Sequence, residues 1–246
     1  QDVVIEVAAL GRPYATRIAA VEQRAGDGLE MKPMRVAVLG HGAVGAGVCA
    51  HLLAHPGRFT LNPVLVRDPA QHSAGAAAEL SFTDDPARAL GGEPDIVVET
   101  IGGTGLARAL SQSVLREGAH LVTANKAVVA LDFDRLHELA EENGRSLRYS
   151  ATIGGGVPIL ELVDLLARHD TLLSEGVLNG TCNFVLGQLG RGVPLAAAVA
   201  EAQRLGFAEA DPSADIDGLD AADKLAILVR HAFGVALHPD QIACES

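Results

Sequence analysis

Short apolar runs, each followed by a glycine-bearing loop and then by helical periodicity, recur along residues 34–150. Residues 35–39 have the length and make-up of a buried strand, and residues 46–54 read as the helix after it. A second strand is expected at 59–66, running into Arg67-Asp68-Pro69. A third lies at 95–99, followed by the loop Thr100-Ile101-Gly102-Gly103 and a helix over 105–118. Residues 120–123 form a further strand, leading through Ala124-Asn125-Lys126 to a helix over 132–143 and a strand at 147–149. This alternation predicts an α/β fold, a doubly wound parallel sheet of the Rossmann type.

The pattern changes after Ala151. Pro158 opens an amphipathic helix over 159–167, a strand is expected at 171–178, and helices follow at 183–189 and 194–205. An acidic stretch from Glu209 to Asp220 then enters a last helix that Gly234 closes. The expected organisation is an N-terminal extension of unassigned role (1–33), the doubly wound domain (34–150) and a second, α+β domain (151–246).

Composition supports this architecture. The 246 residues are 48% hydrophobic but only 3% aromatic, so the core is built from Ala, Val, Leu and Ile, as suits a parallel sheet covered by helices. A formal charge of −12 disfavours nucleic acid or an anionic membrane as the partner. No apolar run approaches bilayer-spanning length, and the first thirty residues lack the pattern of a signal peptide. Cys49, Cys182 and Cys244 are far apart with no metal-ligand spacing, which points to a reducing, cytoplasmic setting.

Two constellations carry chemistry. The first is Gly40-His41-Gly42-Ala43-Val44-Gly45, placed between a buried strand and a helix start. There Gly40 permits the tight turn, Gly42 admits a pyrophosphate and Gly45 lets helix and strand pack closely. His41 reads as a variable loop position, not a catalyst. At the tip of the second strand an acid would hold a ribose 2′-hydroxyl and an arginine a 2′-phosphate. Arg67 followed by Asp68 leans to NADP and leaves NAD open.

The second constellation is Asp220 and Lys224, four residues apart on the last helix. That spacing puts carboxylate and ammonium on one face, able to bind a polar substrate and pass a proton to a developing alkoxide. A solvated surface ion pair has the same spacing, and Glu209 to Asp217 could equally be a solvated acidic loop with Asp217 capping the helix. Cys182 reads as a small buried residue, not a nucleophile.

With the glycine loop, Thr123-Ala124-Asn125-Lys126, Asn179-Gly180-Thr181, Gly-Gly-Gly-Val-Pro-Ile and Ala-Glu-Ala-Asp-Pro in order, residues 34–234 resemble homoserine dehydrogenase. Enzymes of that family reversibly reduce L-aspartate 4-semialdehyde to L-homoserine, on the route to threonine, methionine and isoleucine. The resemblance implies that Lys224 is the proton donor and acceptor and that Asp220 works beside it. It implies that Glu209 and Asp215 bind substrate, that Gly180 and Thr181 form the floor of the site, and that Phe207 stands where tyrosine is common. Lys126 is implied at the junction of substrate and cofactor, and Gly40, Gly42, Ala43, Val44 and Thr100 at cofactor contacts. A homodimer through the second domain is implied too.

The family often binds a monovalent cation such as sodium through backbone carbonyls, here those of Ile153, Gly155 and Val157. Ser150 stands where a glutamate completes that site, so a weak or absent site is expected. Family members also continue past the position of Gly234 and return to the cofactor domain, so the chain is expected to lack that return segment. Two alternatives therefore stay open: a truncated chain that binds dinucleotide without turnover, and a related oxidoreductase acting on another small amino acid or semialdehyde.

Overall fold

The computed structural model describes residues 4–6, 32–72, 79–166, 173–209 and 211–244. They fall into two compact units divided between Gly156 and Val157, the short strand β1 (Val4–Glu6) going with the C-terminal one.

The first unit is a parallel sheet. Its elements are β2 (Met34–Leu39), α1 (Ala43–Leu53), β3 (Phe59–Leu61), β4 (Val64–Leu65), β5 (Phe82–Thr83), α2 (Pro86–Ala89) and β6 (Ile96–Glu99). They continue with α3 (Gly105–Arg116), β7 (His120–Thr123), α4 (Lys126–Glu142), β8 (Leu147–Arg148) and α5 (Ala151–Gly154). Seven strands lie in the order β5-β4-β2-β6-β7-β8, with β3 also on β2. This is the doubly wound order that the alternation predicts, and the chain reverses direction across the sheet between β2 and β6. One face is covered through Val36, Val38, Cys49, Leu52, Val64 and Val66, a small-aliphatic core as the composition requires.

Three departures from the expected elements have local causes. The strand expected at 59–66 breaks at Asn62-Pro63. There the Asn62 amide donates to the Ala89 and Gly91 carbonyls, both at 2.8 Å, and proline has no N–H to give. Strand β5 has two residues, too few for any periodicity, and α2 is set by Asp85 capping Ala87 N–H (2.9 Å) with proline next in line. Helix α4 starts at Lys126, not 132, because Asn125 caps it (Val128 N–H to Oδ1, 3.3 Å).

The earlier turn of α4 escapes a periodicity reading because the helix kinks at Asp132 (φ −118°, ψ 21°). Asp132 is buried and accepts from Arg108 Nε (2.6 Å) and Nη2 (2.5 Å) and from Gln112 (2.7 Å). Burial pushes its carboxyl pKa up, but these donors outweigh it and the net shift is down. Its stabilisation is therefore present above the unfolded carboxyl value and lost as pH falls through the folded one. Asp132→Ala should cost about 2 kcal/mol at neutral pH, read as a lower urea midpoint, because Arg108 and Gln112 lose their acceptor. An unchanged midpoint would refute this account of the kink.

The second unit holds α6 (Ile159–Leu166), β9 (Leu173–Glu175), α7 (Gly180–Leu189), α8 (Leu195–Arg204), α9 (Ser213–Ile216) and α10 (Leu219–Phe233). β9 pairs antiparallel with β1, so part of the N-terminal extension adds a strand here. Of the strand expected at 171–178, residues 171–172 lie outside the described residues. Val185, Ala198 and Ala202 centre the packing of α7 on α8. α10 closes at Gly234 in the left-handed region (φ 68°), as expected. Its N-cap, however, is Gly218 (φ 78°) with no side-chain cap, so Asp217 does not cap it.

Candidate active site

In the first unit the glycine loop and the loop after β6 meet at the switch point of the sheet, where ligands of such folds bind. The two strand ends are in register, Leu39 opposite Glu99. Thr100 N–H donates to Leu39 O (2.7 Å), and its hydroxyl lies 3.1 Å from that carbonyl and 3.2 Å from Gly40 O. Gly40 sits at φ 102°, and a Cβ there would come 2.7 Å from Thr100 O. A Cβ on Gly45 would collide with the Gly40 carbonyl, so helix and loop can meet only through glycine.

A Cβ on Gly42, by contrast, would stand in open space. Gly42 is the N-cap of the eleven-residue α1, has no side chain to engage the terminal N–H groups, and no acid occupies the first turn. An unblocked helix N-terminus beside an open glycine is what a pyrophosphate requires. The residues thus fit the dinucleotide that the motif implies, with Ala43 and Val44 exposed on the first turn and Thr100 bracing the loop.

Behind the crevice lies a carboxylate that sequence reasoning left as an ordinary strand end. Glu99 is 0% exposed, yet accepts from Ile101 N–H (2.8 Å) and the Thr123 hydroxyl (2.6 Å). Thr123 Oγ1 accepts from Asn125 N–H (3.0 Å), and the Asn125 amide donates to Gly103 O (2.7 Å). The Thr100–Gly103 loop and the start of α4, where Lys126 sits half-buried, are thereby fixed to each other. The sequence signal was an acid ending an otherwise apolar strand.

The second unit assembles the Asp220–Lys224 pair. Lys224 Nζ donates to Asp220 Oδ2 (2.6 Å) and to Leu178 O (2.8 Å). Asn179 Nδ2 donates to the same Asp220 oxygen (2.7 Å) and to Asp215 Oδ1 (2.7 Å), while Asn179 Oδ1 accepts from Cys182 N–H (2.8 Å). Asp220 is only 8% exposed, so this is no solvated surface pair. Asn179, whose side chain uses both N–H groups and its oxygen, and the Leu178 carbonyl are the site groups that residue-by-residue reasoning missed. An asparagine before Gly180-Thr181 at a helix start was the available signal.

The remaining candidates lie around this network. Gly180 and Thr181 form the first turn of α7, and the Thr181 hydroxyl donates to Phe207 O (2.6 Å). The Phe207 ring is exposed and stacks on Phe184 (centroids 5.0 Å apart). The Glu209 carboxylate is exposed, and its carbonyl accepts from Gln203 (3.1 Å), so it is placed near α8 without joining the buried pair. Cys182 Sγ donates to Asp215 O (3.0 Å). Burial first, then the Asp215 and Asp220 charges, raise its pKa, which keeps it a thiol and argues against a nucleophile.

Val157 O already accepts from Ile159 N–H (2.8 Å), and Ser150 brings no carboxylate. Ile153 is buried in α5 and Gly155 sits at φ 57°.

Comparison with known proteins decides the family. Residues 40–150 match the model of the homoserine dehydrogenase NAD binding domain, and residues 158–246 match that of homoserine dehydrogenase. The chain belongs to the homoserine dehydrogenase family. The homoserine dehydrogenase of Synechocystis is 36% identical over 221 residues, covering 86% of this chain and 51% of that protein. A homoserine dehydrogenase structure from Thiobacillus denitrificans superposes with TM-score 0.77 at 34% identity, over 87% of this chain and 52% of that one. A structure from Archaeoglobus fulgidus assigned to the same family gives TM-score 0.69 at 30% identity, over 86% and 72%. The chain spans about half the length of the curated homoserine dehydrogenases it matches. Its first unit is a nicotinamide-dinucleotide-binding domain, and among the described residues no helix is long and apolar enough to cross a membrane.

Proposed function

We propose that the chain reduces L-aspartate 4-semialdehyde reversibly to L-homoserine with NADP, as a homoserine dehydrogenase. The observation that carries this reading is the half-buried ammonium of Lys224, held by Asp220 and the Leu178 carbonyl. An ammonium has three N–H donors. Two are directed at protein oxygens, which leaves the third for a substrate carbonyl. A bound nicotinamide would supply hydride to an aldehyde carbon, and the role of Lys224 would be to deliver a proton to the oxygen and steady the alkoxide charge. Asp220 and Asp215, with Glu209 from the loop after α8, supply carboxylates for the substrate ammonium. Lys126 supplies the cation for its carboxylate.

For the cofactor, Asp68 already accepts from Ala70 N–H (3.1 Å) and Gln71 (2.8 Å) within its own turn. It is ill placed to take a ribose hydroxyl, and exposed Arg67 favours a 2′-phosphate, hence NADP over NAD. A cytoplasmic homodimer is the assembly we propose. Exposed Leu162, Leu165 and Val177 offer apolar surface for it, and a monomeric mass in light scattering would refute it.

The deciding assay follows NADPH consumption with aspartate semialdehyde beside other short aldehydes. Turnover selective for aspartate semialdehyde is expected. Tight NADPH binding with no turnover would sink the proposal in favour of a binding module, and equal rates on all aldehydes would favour another oxidoreductase. Because the donor set around Ser150 lacks a carboxylate, rates should agree within about twofold with and without sodium. A strict sodium requirement would overturn that expectation.

A further inference from the structure

His41 stands between Gly40 and Gly42, inside the loop that would receive a pyrophosphate. Gly40 N–H donates to Leu65 O (2.8 Å), which ties this loop to the end of β4, and Arg67 follows two residues on. The chain then makes a 3-10 turn, Pro69–His72. The His72 ring stacks on Phe82 of β5 (centroids 5.0 Å, interplanar angle 26°). The His41 ring meets both edge-on, at 5.3 Å from His72 and 5.0 Å from Phe82. Two half-buried imidazoles and an arginine thus gather at the end of the second strand, where a dinucleotide's adenosine ribose is bound in folds of this order.

We propose that His41 and His72, together with Arg67, form a protonation-linked seat for the 2′-phosphate of NADP, so that NADPH binds with proton uptake and NADH does not. The inference rests on the NADP reading above and names the residues that would enforce it.

The charge balance supports it. In the free protein, burial and then the neighbouring His72 lower the His41 pKa, so near neutral pH its ring is uncharged. A dianionic phosphate at the rim of the His41 ring would reverse that balance, because an opposite charge at short range favours the protonated imidazole. The acids on the flanking turns are Asp68, bonded within its own turn, and Asp84 and Asp85 after β5, of which Asp85 caps α2. Arg67 supplies the fixed positive charge. Phe82 holds both rings in place by packing, so the pair is preorganised. NADH carries a hydroxyl at the same position and gives His41 no reason to charge.

The test is isothermal titration calorimetry of NADPH and NADH in buffers of different ionisation enthalpy. It is run at about pH 7.5, where the free 2′-phosphate, with a second pKa of about 6, is already almost fully ionised. Uptake of about one proton per NADPH and less than about 0.2 per NADH is expected. NADPH affinity should also fall about tenfold to thirtyfold from about pH 7 to 8.5, with NADH affinity nearly flat. His41→Asn and His72→Asn should each reduce the uptake and the double variant abolish it, circular dichroism confirming that each is folded. NADPH binding without uptake, or uptake that survives in the double variant, overturns the proposal. Failure of NADPH to bind at all would overturn the cofactor reading as well, so the two failures are told apart.

Discussion

Lys224→Met is expected to lower turnover of aspartate semialdehyde about a thousandfold while changing NADPH affinity less than about twofold, since a positioned proton donor contributes roughly 10²–10⁴ in rate. Methionine keeps the length and apolar stem of lysine, so the packing of α10 survives. What disappears is the ammonium, the one group of the network able to give a proton to an alkoxide. Asp220 keeps the Asn179 donor at 2.7 Å and is not left without a partner. Lys224→Arg should rescue little. A guanidinium holds its proton too tightly to act as an acid near neutral pH, and its planar fork does not fit between Asp220 and the Leu178 carbonyl as a compact ammonium does. The cofactor loop belongs to the other unit, so NADPH binding reports separately on whether the variant is folded. Turnover like that of the unmodified protein would remove Lys224 from the chemistry and with it the basis of the proposed function.

The sequence was informative where the physics is local or periodic. The parallel order of the sheet follows from apolar runs alternating with helices, and the cofactor loop from glycines at positions where the chain turns left-handed or must touch another backbone. Gly40 meets both demands in the structure and Gly45 the second. Asp220 and Lys224 were legible as a pair, but their burial was not. Helical spacing is the same on a solvated face as in a cleft, and only the fold, in which α10 packs on α6, α9 and the turn Pro239–Gln241, decides between them. The hydrogen bonds that give the pair its meaning come from Asn179 and Leu178, more than forty residues away in the chain. No spacing rule reaches that far. Glu99 was missed for a related reason. A strand-terminal acid is ordinarily solvated, and its burial depends on the coincidence of Ile101 N–H and the Thr123 hydroxyl, which only the folded sheet brings together.

Asn179→Asp should be more damaging than Asn179→Ala, although aspartate is as good a helix cap as asparagine. The asparagine amide is the shared donor between two acids, reaching Asp215 and Asp220 at 2.7 Å each, while its oxygen takes the Cys182 N–H. Alanine loses the cap and both N–H donors but leaves space for water, at a cost of about 3 kcal/mol. Aspartate keeps the cap and turns the donor into a third carboxylate within hydrogen-bonding distance of two others. The loss of two charge-assisted bonds, compounded by like-charge repulsion at a buried site, should cost about 4 kcal/mol or more. The pH dependence gives the signature. The neighbouring acids hold the introduced carboxyl above its unfolded value, so the folded variant binds a proton more readily than the unfolded chain. Its stability must then rise as pH falls from neutral toward about 5, where the protonated carboxyl again donates a hydrogen bond. Asn179→Ala carries no such group and should show no recovery in that window. Urea midpoints of both variants at about pH 7.5 and about pH 5 check this. If Asn179→Asp were the milder substitution, or showed no acid recovery, the amide would not be the element that holds the two carboxylates beside Lys224.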